Sequence, residues 1–359
     1  MTMVTKYWPS TGCDQSNGLQ EAAAVLARGG VVAFPTETVY GLGGDARNTS
    51  AVEQIFKAKG RPSDNPLIVH LADVSEVSAI ADRISELEKK LMSAFWPGPL
   101  TLVLPVREGA VSPLVTAGLD TVAVRVPAHE LARQLIAASG CPLAAPSANR
   151  SGRPSPTEAG HVQVDLDGRI DGILDGGATG VGLESTVVRV LGDQIHILRP
   201  GGVTAEQLQA AVGATVQVVD EPSHSAATQI AQEQAPRSPG MKYAHYAPKG
   251  ELMIVSGLFD RIPVVIQARI HEAKRGGDRI KVGVLSCTEH TELYQADVVI
   301  DLGSHIQPEQ AAKLLYRALR ECDDHQLTLI FAEGYPEQGI GTALMNRLRK
   351  AAAGRELQA

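Results

Sequence analysis

Short apolar segments that lead directly into polar, glycine- or proline-rich segments recur through the first half of this 359-residue chain. Residues 31–34 precede the hydroxyl- and glycine-rich segment 35–44, and residues 143–145 precede the polar segment 146–156. Helical patterns separate the apolar segments, as over residues 19–28. Ligands bind open α/β sheets at the strand ends. The pattern therefore predicts an α/β fold with a binding site in these loops.

The segment 57–70 concentrates cations and prolines between a helix and a strand. Lys59 and Arg61 flank a glycine in a turn that cannot continue the preceding helix. Residues 67–69 then have the pattern of a buried strand that ends at His70. Arginine offers a planar fork and lysine a mobile point charge, and both suit phosphate oxygens. The segment predicts a phosphate-binding loop, with a solvated basic turn and a core histidine as the alternatives.

Two local patterns near these loops make structural predictions. Ser50 and Glu53 are spaced as a capping box for a helix that ends near Ala58. Residues 121–126 alternate as a half-buried strand does, and Arg125 interrupts the apolar run. A buried charge is costly unless it meets an opposite charge, so we expect Arg125 to form a salt bridge or a ligand contact.

Four polar loops at predicted strand ends carry the candidate functional side chains of the first half. They are residues 36–40, 59–65, 147–153 and 184–186. Turn capping is the structural alternative for Thr36, Thr38, Ser147 and Asn149. The chain contains neither a G-x-x-x-x-G-K-[ST] loop nor a G-x-S-x-G motif, which argues against a P-loop nucleotide fold and an acyl hydrolase.

Composition excludes several classes of protein. The net charge of −7 and the pI near 5.8 give no general basic surface, so contact with nucleic acid would have to be local. The cysteines are far apart and form no C-x-x-C pair, which predicts reduced, mostly buried thiols and no zinc site; they are Cys13, Cys141, Cys287 and Cys322. With neither a membrane-length apolar run nor a signal-peptide pattern, we expect a cytoplasmic protein without a membrane partner.

The second half of the chain changes in character. Residues 1–212 hold the pattern described above, residues 213–249 are rich in Ser, Gln, Pro and His, and an α/β pattern resumes over residues 250–359. The middle segment predicts a linker or a lid. The last segment predicts a small parallel sheet of Rossmann-like type, although it lacks G-x-G-x-x-G. Its strand-end segments 286–288 and 333–335 contact a partner, regulate the lid or are ordinary turns.

Seven ordered motifs of the first half resemble the YrdC-like family. They are Pro35-Thr-Glu-Thr-Val-Tyr-Gly-Leu, Lys59-x-Arg61, Asn65-Pro-Leu-Ile-Val-His70, Trp96-Pro-Gly-Pro-Leu-Thr101, Pro146-Ser-Ala-Asn149, Glu184-Ser-Thr-Val187 and Leu198-Arg-Pro-Gly201. The segment Ser238-Pro-Gly-Met-Lys-Tyr-x-His-Tyr-x-Pro248 and the α/β pattern after it are similar to the family's two-domain members. The resemblance implies a YrdC-like open twisted sheet with helices, plus a smaller Rossmann-like domain.

The resemblance also implies an activity, namely synthesis of L-threonylcarbamoyladenylate. Such enzymes are nucleotidyltransferases that join L-threonine, bicarbonate or CO2, and ATP, with release of pyrophosphate. Mg²⁺ would be bound through the ATP phosphates. The product would pass to a tRNA threonylcarbamoyl transferase that modifies adenosine 37, and a weak direct contact with tRNA is compatible with the resemblance.

Site residues follow from the same resemblance, position by position. The implied catalytic set is Lys59, Arg61, Ser147 and Asn149. The implied threonine site is Thr38, His70, Arg125, Ala145 (through its backbone) and Ser185. The implied ATP site is Arg61, Asn65, Thr121, Ser147, Ser155, Arg199 and one of Tyr243 and Tyr246. No residue is implied as a direct metal ligand. We further expect residues 238–248 to close over the nucleotide.

Two alternatives come from related proteins. A YrdC-type RNA-binding module without adenylate synthesis would bind tRNA in a salt-dependent way and consume no ATP. A carbamoyl-transfer enzyme that uses carbamoyl phosphate would resemble hydrogenase-maturation proteins. Those proteins carry acylphosphatase and zinc-finger segments, and the cysteine pattern of this chain does not fit them.

Overall fold

The computed structural model describes residues 4–9, 15–220, 246–275 and 280–359. These residues form two compact units. The first comprises most of the chain up to residue 220, and the second comprises residues 246–359 together with Gly152–Ser155 and Val181–Leu183. Tyr243 and most of the predicted lid lie outside the described residues. No helix in these ranges has the length and apolarity needed to cross a lipid bilayer.

The first unit is built on one mixed sheet. Its strands are β1 (Lys6–Trp8), β2 (Val32–Phe34), β3 (Gly41–Asp45), β4 (Ile68–His70), β5 (Leu100–Pro105), β6 (Thr121–Arg125), β7 (Leu143–Ala144), β8 (Gly172–Leu174), β9 (Thr186–Leu191), β10 (Gln194–Arg199) and β11 (Gln217–Asp220). Its helices are α1 (Gln15–Ala27), α2 (Thr49–Lys59), α3 (Val77–Ile80), α4 (Glu86–Phe95), α5 (Pro113–Thr116), α6 (Glu130–Ser139), α7 (Ala159–Leu166) and α8 (Ala205–Val212). The α/β prediction is confirmed.

The strand order places three of the four predicted loops beside the adjacent strands β3, β7 and β4, and the fourth beside β9. It runs β1-β8-β2-β3-β7-β4-β6-β5-β9-β10-β11. Strands β4 and β6 are parallel, as are β5 and β9, whereas β7 is antiparallel to β4 and β6 is antiparallel to β5. Strand β11 lies within the segment predicted as a linker, and it pairs in parallel with β10.

The helix that precedes the cationic loop begins differently from the prediction. Helix α2 starts at Thr49, and the side-chain oxygen of Asn48 accepts hydrogen bonds from the backbone N–H groups of Ser50 (3.0 Å) and Ala51 (3.3 Å). The predicted capping box of Ser50 and Glu53 is therefore wrong, because Asn48 already satisfies these first-turn donors. The predicted end is confirmed, since Gly60 adopts a left-handed conformation with φ of 62°.

Two segments are more regular or more buried than predicted. Residues 41–44 were expected in a loop but belong to β3, and a Cβ on Gly43 would lie 2.8 Å from the Phe34 ring. Glycine is needed at this position because the Phe34 ring packs closely against the strand, and not because the chain turns there. Strand β6 was expected to be half-buried, yet all five of its residues are buried. That prediction is wrong because β6 lies in the sheet interior between β4 and β5, with side chains packed on both faces.

The second unit has a smaller, entirely parallel sheet. Its strands are β12 (Glu251–Ser256), β13 (Val282–Ser286), β14 (Val298–Asp301), β15 (Leu329–Glu333) and β16 (Glu356–Gln358), in the order β14-β13-β15-β12-β16. Its helices are α9 (Ile262–Arg275), α10 (Pro308–Asp324) and α11 (Ile340–Ala351). The predicted parallel sheet is confirmed, and the short β16 was not predicted.

Candidate functional site

One face of four adjacent strands carries most of the polar residues predicted for the site. Along β6, Val122 and Val124 pack into the main core, whereas Ala123 belongs to a small apolar cluster apart from it. Successive side chains of a strand point to opposite faces, so Thr121 and Arg125 share the face of Ala123. The same alternation holds in the neighbouring strands, whose contribution to this cluster is Ile68, Val103 and Val187, with Leu198 packed against it.

We call this face the site face; its polar residues include His70, Thr101, Arg125 and Ser185. Strand pairing brings these residues close together. His70 is paired with Arg125 across β4 and β6. Thr101 in β5 and Ser185, which directly precedes β9, join their hydroxyl oxygens at 2.7 Å. Parallel and antiparallel pairing alternate so that the end of β6, the start of β5 and the start of β9 meet at one edge. The site face therefore combines an apolar floor with buried polar groups.

Arg125 is fixed by three groups. Its Nη1 donates to the Thr38 hydroxyl at 2.9 Å and its Nε donates to the Gly98 carbonyl at 3.2 Å. Its Nη2 forms an ion pair with a Glu37 carboxylate oxygen at 2.6 Å, without the linear geometry of a hydrogen bond. Burial raises the pKa of Glu37, but the Arg125 guanidinium and nearby backbone N–H groups, Ala128 first among them, together lower that pKa. Of the two predicted possibilities, the salt bridge is present.

His70 is a neutral imidazole beside this guanidinium. It is buried, and burial followed by the Arg125 charge lowers its pKa from 6.5 to about 3. Its Nδ1 lies 3.2 Å from the Ile68 carbonyl oxygen. At neutral pH His70 can exchange hydrogen bonds with a ligand but adds no positive charge.

Thr36 and Thr38 divide the two roles proposed for them. The Thr36 hydroxyl donates to the Val39 carbonyl at 2.6 Å and accepts from the backbone N–H groups of Thr38 and Val39, each at 3.2 Å. It caps the turn, as in the structural alternative. The Thr38 hydroxyl instead faces Arg125, where it can contribute to a ligand site.

Lys59 organises the loop that follows β7. Its Nζ donates to the backbone carbonyls of Ser147 and Asn149, both at 2.6 Å, and lies 3.5 Å from the Asn149 side-chain oxygen. The Ser147 hydroxyl donates to that same oxygen at 2.5 Å. Burial lowers the pKa of Lys59 well below its usual range, and the Arg61 charge lowers it further. A nearby phosphate would favour the protonated form.

Arg61 and Asn65 lie on the turn that leads into β4. Arg61 Nη2 donates to the carbonyls of Asn65 and Pro66, both at 3.2 Å. The Asn65 side chain is completely buried, and neither its oxygen nor its nitrogen has a hydrogen-bond partner in the described part of the chain. A buried amide without partners is costly, so it marks a place where a ligand can supply them.

Arg199 extends the cationic groups to β10. Its Nη2 donates to the Ser185 carbonyl at 2.9 Å and to the Ser185 hydroxyl at 3.1 Å, and Nε donates to the same carbonyl at 3.2 Å. The three residues Arg199, Ser185 and Thr101 therefore form one buried network. Fixed donors of this kind suit oxygen atoms of an anion.

The remaining predicted residues have separate positions. Thr121 is the buried first residue of β6, and the Ala145 N–H donates to the Ile68 carbonyl at 2.9 Å as part of the sheet. Ser155 and Tyr246 belong to the second unit. There the Tyr246 ring lies 5.1 Å from the Tyr316 ring.

Sequence reasoning missed two residues of the site face. Glu37 stands between Thr36 and Thr38 inside a quoted motif, and the expected salt bridge of Arg125 called for an acidic partner. Thr101 closes another quoted motif and contacts Ser185. The sequence signal for both is that a predicted polar residue needs a partner when it is buried, although this signal does not say which residue supplies the partner.

The fold and the site define an α/β protein whose site face and cationic loops are suited to anionic ligands. The family model described as "Telomere recombination" matches residues 24–201, and the one described as "Threonylcarbamoyl-AMP synthase, C-terminal domain" matches residues 203–353. The chain belongs to the YrdC-like family, in its two-domain form.

Relatives of full length support this assignment. A protein named threonylcarbamoyl-AMP synthase from Bacillus subtilis (strain 168) is 51% identical over 360 residues, which cover 99% of this chain and 100% of that protein. One of the same name from Schizosaccharomyces pombe is 42% identical over 368 residues, with 94% and 88% covered. The crystal structure of Pyrococcus abyssi Sua5 complexed with L-threonine matches with a TM-score of 0.87 and 42% identity over 100% of both chains. The predicted family and YrdC-like fold are confirmed.

Proposed function

We propose that this protein is an L-threonylcarbamoyladenylate synthase, a nucleotidyltransferase that uses L-threonine, bicarbonate or CO2, and ATP. The observation that carries the proposal is the combination on one sheet of a buried guanidinium, Arg125, with a separate cationic loop, Lys59 to Arg61. An amino-acid carboxylate suits the first group, and a nucleotide's phosphates suit the second. Names of full-length relatives support the same activity.

Threonine would bind on the site face. Arg125 would hold its carboxylate, which requires Glu37 to give up part of its ion pair. Neutral His70, the Thr38 hydroxyl and Ser185 would exchange hydrogen bonds with the amine and hydroxyl of the substrate. The backbone of Ala145 would complete the pocket. Since His70 carries no charge, it would not repel the substrate's ammonium group.

The reaction has two steps in this account. The threonine amine loses a proton and attacks the carbon of CO2 or bicarbonate, which gives a carbamate and, from bicarbonate, water. A carbamate oxygen then attacks the α-phosphorus of ATP, and pyrophosphate leaves. In such a transfer the protein mainly positions the reactants and stabilises developing charge. Carbamates hydrolyse readily, so a buried site protects the intermediate from water.

Cations would stabilise the phosphates in the second step. Arg61 and Arg199 would contact them, while Lys59 would hold the loop that presents Ser147 and Asn149. The buried amide of Asn65 would find in the nucleotide the partners it lacks among the described residues. Within the first unit, Thr121 completes the proposed ATP site. The family resemblance also implies Ser155 and either Tyr243 or Tyr246.

The donor set fits Mg²⁺ that arrives with ATP. Within the described residues, the first unit contains no group of three or more His, Cys, Asp or Glu side chains arranged for a metal. Apart from Glu37, which is paired with Arg125, the site offers cations and neutral donors, so phosphate oxygens and water would hold the ion. Mg²⁺ would neutralise charge on the phosphates.

The product would serve threonylcarbamoylation of adenosine 37 in tRNA by a separate transferase. A mixed anhydride of this kind is an activated donor, so a downstream enzyme must accept it before it hydrolyses. We propose a cytoplasmic location for this sequence of reactions. Direct contact with tRNA would involve the local cations near Lys57 and Arg61.

The test is pyrophosphate release by the full chain with ATP and Mg²⁺. We expect release only when both threonine and bicarbonate are present, and a large loss in Arg61→Ala and Ser147→Ala. Lys57→Ala is the matched control, because Lys57 lies on the last turn of α2 but is exposed. Threonine-independent release would contradict the proposal. Salt-dependent tRNA binding without ATP consumption would favour the RNA-binding alternative.

A further inference from the structure

A buried cluster of polar side chains lies within the second unit, at the carboxyl ends of two adjacent parallel strands. Cys287 directly follows β13, and His290 lies on the short 3₁₀ turn Thr288–Leu293 after it. Glu333 ends β15, which pairs with β13. One potential ligand atom from each of these three residues lies within 4.8 Å of the others, and all three residues are buried. Ligands of open α/β sheets bind at this edge.

The two carboxylate oxygens of Glu333 contact different groups. Oε1 accepts hydrogen bonds from the hydroxyls of Ser286 (2.8 Å) and Tyr294 (2.7 Å). Oε2 faces the other two members of the cluster, with His290 Nδ1 at 2.8 Å and Cys287 Sγ at 3.2 Å. Outer hydrogen bonds that hold one carboxylate oxygen and leave the other to a metal are typical of ligating carboxylates.

Charge balance favours a cation at this point. Among the described residues, no lysine or arginine pairs with Glu333, and the basic side chain within ion-pair distance of it is the His290 ring. A thiolate, a carboxylate and a neutral imidazole around Zn²⁺ would carry no net formal charge. A neutral site can be fully buried without the cost of an unpaired charge. The ring of His290 is also held in place, stacked 4.2 Å from the Phe259 ring.

A second, independent observation points to a ligand. The hydroxyl of Tyr335, two residues after Glu333, is buried and has no hydrogen-bond partner in the described part of the chain. Three protein ligands leave one position of a tetrahedral zinc site open. The Tyr335 hydroxyl interacts electrostatically with Cys287 and Glu333, so a water or small anion in that position would offer it an acceptor.

We propose that Cys287, His290 and Glu333 form a Zn²⁺ site in the second unit. Sulfur, nitrogen and oxygen ligands in this combination select zinc over Mg²⁺ or Ca²⁺. Zinc converts the thiol to a thiolate and releases its proton to solvent. The site uses none of the residues proposed for the synthase activity. It also replaces the expectation of inert thiols with a specific role for one of the buried cysteines.

The experiment uses the full chain, stripped of metal and titrated with Zn²⁺ against a chromophoric chelator. We expect one zinc per chain. Cys287→Ala should abolish this binding, whereas Cys322→Ala should retain it, since Cys322 is a buried thiol of α10 in the same unit. Ser286→Ala should weaken zinc binding about 10- to 100-fold through loss of carboxylate orientation.

A spectroscopic experiment tests thiolate ligation of the metal on the unmodified chain. Co²⁺ bound to the unmodified chain should show thiolate-to-cobalt charge-transfer absorption, which Zn²⁺ then removes. No metal uptake by the unmodified chain, or equal uptake by Cys287→Ala and by the unmodified chain, would overturn the proposal. In that case the cluster is a hydrogen-bonded network around a buried carboxylate.

Discussion

The two units place buried polar groups at strand ends in opposite electrostatic settings. On the first sheet the groups are mainly cations and neutral donors, represented by Arg125, Arg199 and the Lys59 loop, and the acid Glu37 is paired with Arg125. On the second sheet a carboxylate, Glu333, collects thiol, imidazole and hydroxyl groups. One type of architecture thus selects anions in one unit and a cation in the other. The side chains at the strand ends decide the ligand, and the sheet only positions them.

The largest effect on the anion-binding side of this comparison is expected when the Arg61 guanidinium is removed. In Arg61→Ala we expect kcat for threonine-dependent pyrophosphate release to fall about 100- to 1,000-fold, as when a transition-state donor is lost. Single-turnover kinetics with saturating ATP would measure it. Lys57→Ala should stay within about twofold of the unmodified chain, because an exposed charge contributes little. Equal losses in both variants would show a nonspecific charge effect.

A smaller effect is expected at Arg125. Arg125→Lys keeps the positive charge but loses the bidentate geometry, so the KM for threonine should rise about 10- to 100-fold. The KM for ATP should change much less. Arg47→Lys is the matched control, since Arg47 pairs with Asp45 on the exposed surface. An unchanged threonine KM in Arg125→Lys would contradict the proposal that the threonine carboxylate binds Arg125 on the site face.

Burial of His70, together with the Arg125 charge, also predicts a pH dependence of stability. Since the pKa of His70 falls from 6.5 to about 3 on folding, the unfolded chain binds a proton more readily between these values. The His70 contribution should therefore reduce the free energy of unfolding as pH falls from about 6.5 to 3, by at most about 1.4 kcal/mol per pH unit. Urea unfolding at a series of pH values measures this. The free energy of unfolding of His70→Gln should depend less steeply on pH than that of the unmodified chain. Identical slopes would contradict a buried, neutral His70.

The smallest effect concerns the helix that presents Lys59. Asn48→Ala should lower the free energy of unfolding by about 1 kcal/mol, because two first-turn N–H groups lose their acceptor. Glu53→Ala should have little effect, since Glu53 is exposed and does not cap the helix. Denaturant titrations would measure both. A larger loss of unfolding free energy in Glu53→Ala than in Asn48→Ala would support the predicted capping box instead.

Local patterns predicted the elements that carry the site, because strong signals bound them. A glycine ends α2, and an apolar run that stops at His70 marks β4. The same patterns predicted that Arg125 needs an anion. They could not identify Glu37 as that anion, since the contact joins residues far apart in the chain.

Tertiary packing explains most of the wrong predictions. The glycines of β3 resemble a loop, and only the Phe34 ring against Gly43 shows why a strand needs them. Burial of both faces of β6 depends on neighbours that its own alternation does not reveal. The cluster around Glu333 was missed because its cysteine and histidine meet a carboxylate from another strand, outside any linear zinc motif.

A crystal structure with L-threonine and a nonhydrolysable ATP analogue tests the central claim most directly. We predict the threonine carboxylate on Arg125, on the site face, and the α-phosphate beside Arg61 and Ser147. Threonine bound away from β4 and β6, or the nucleotide bound away from residues 59–65 and 145–149, would contradict the account.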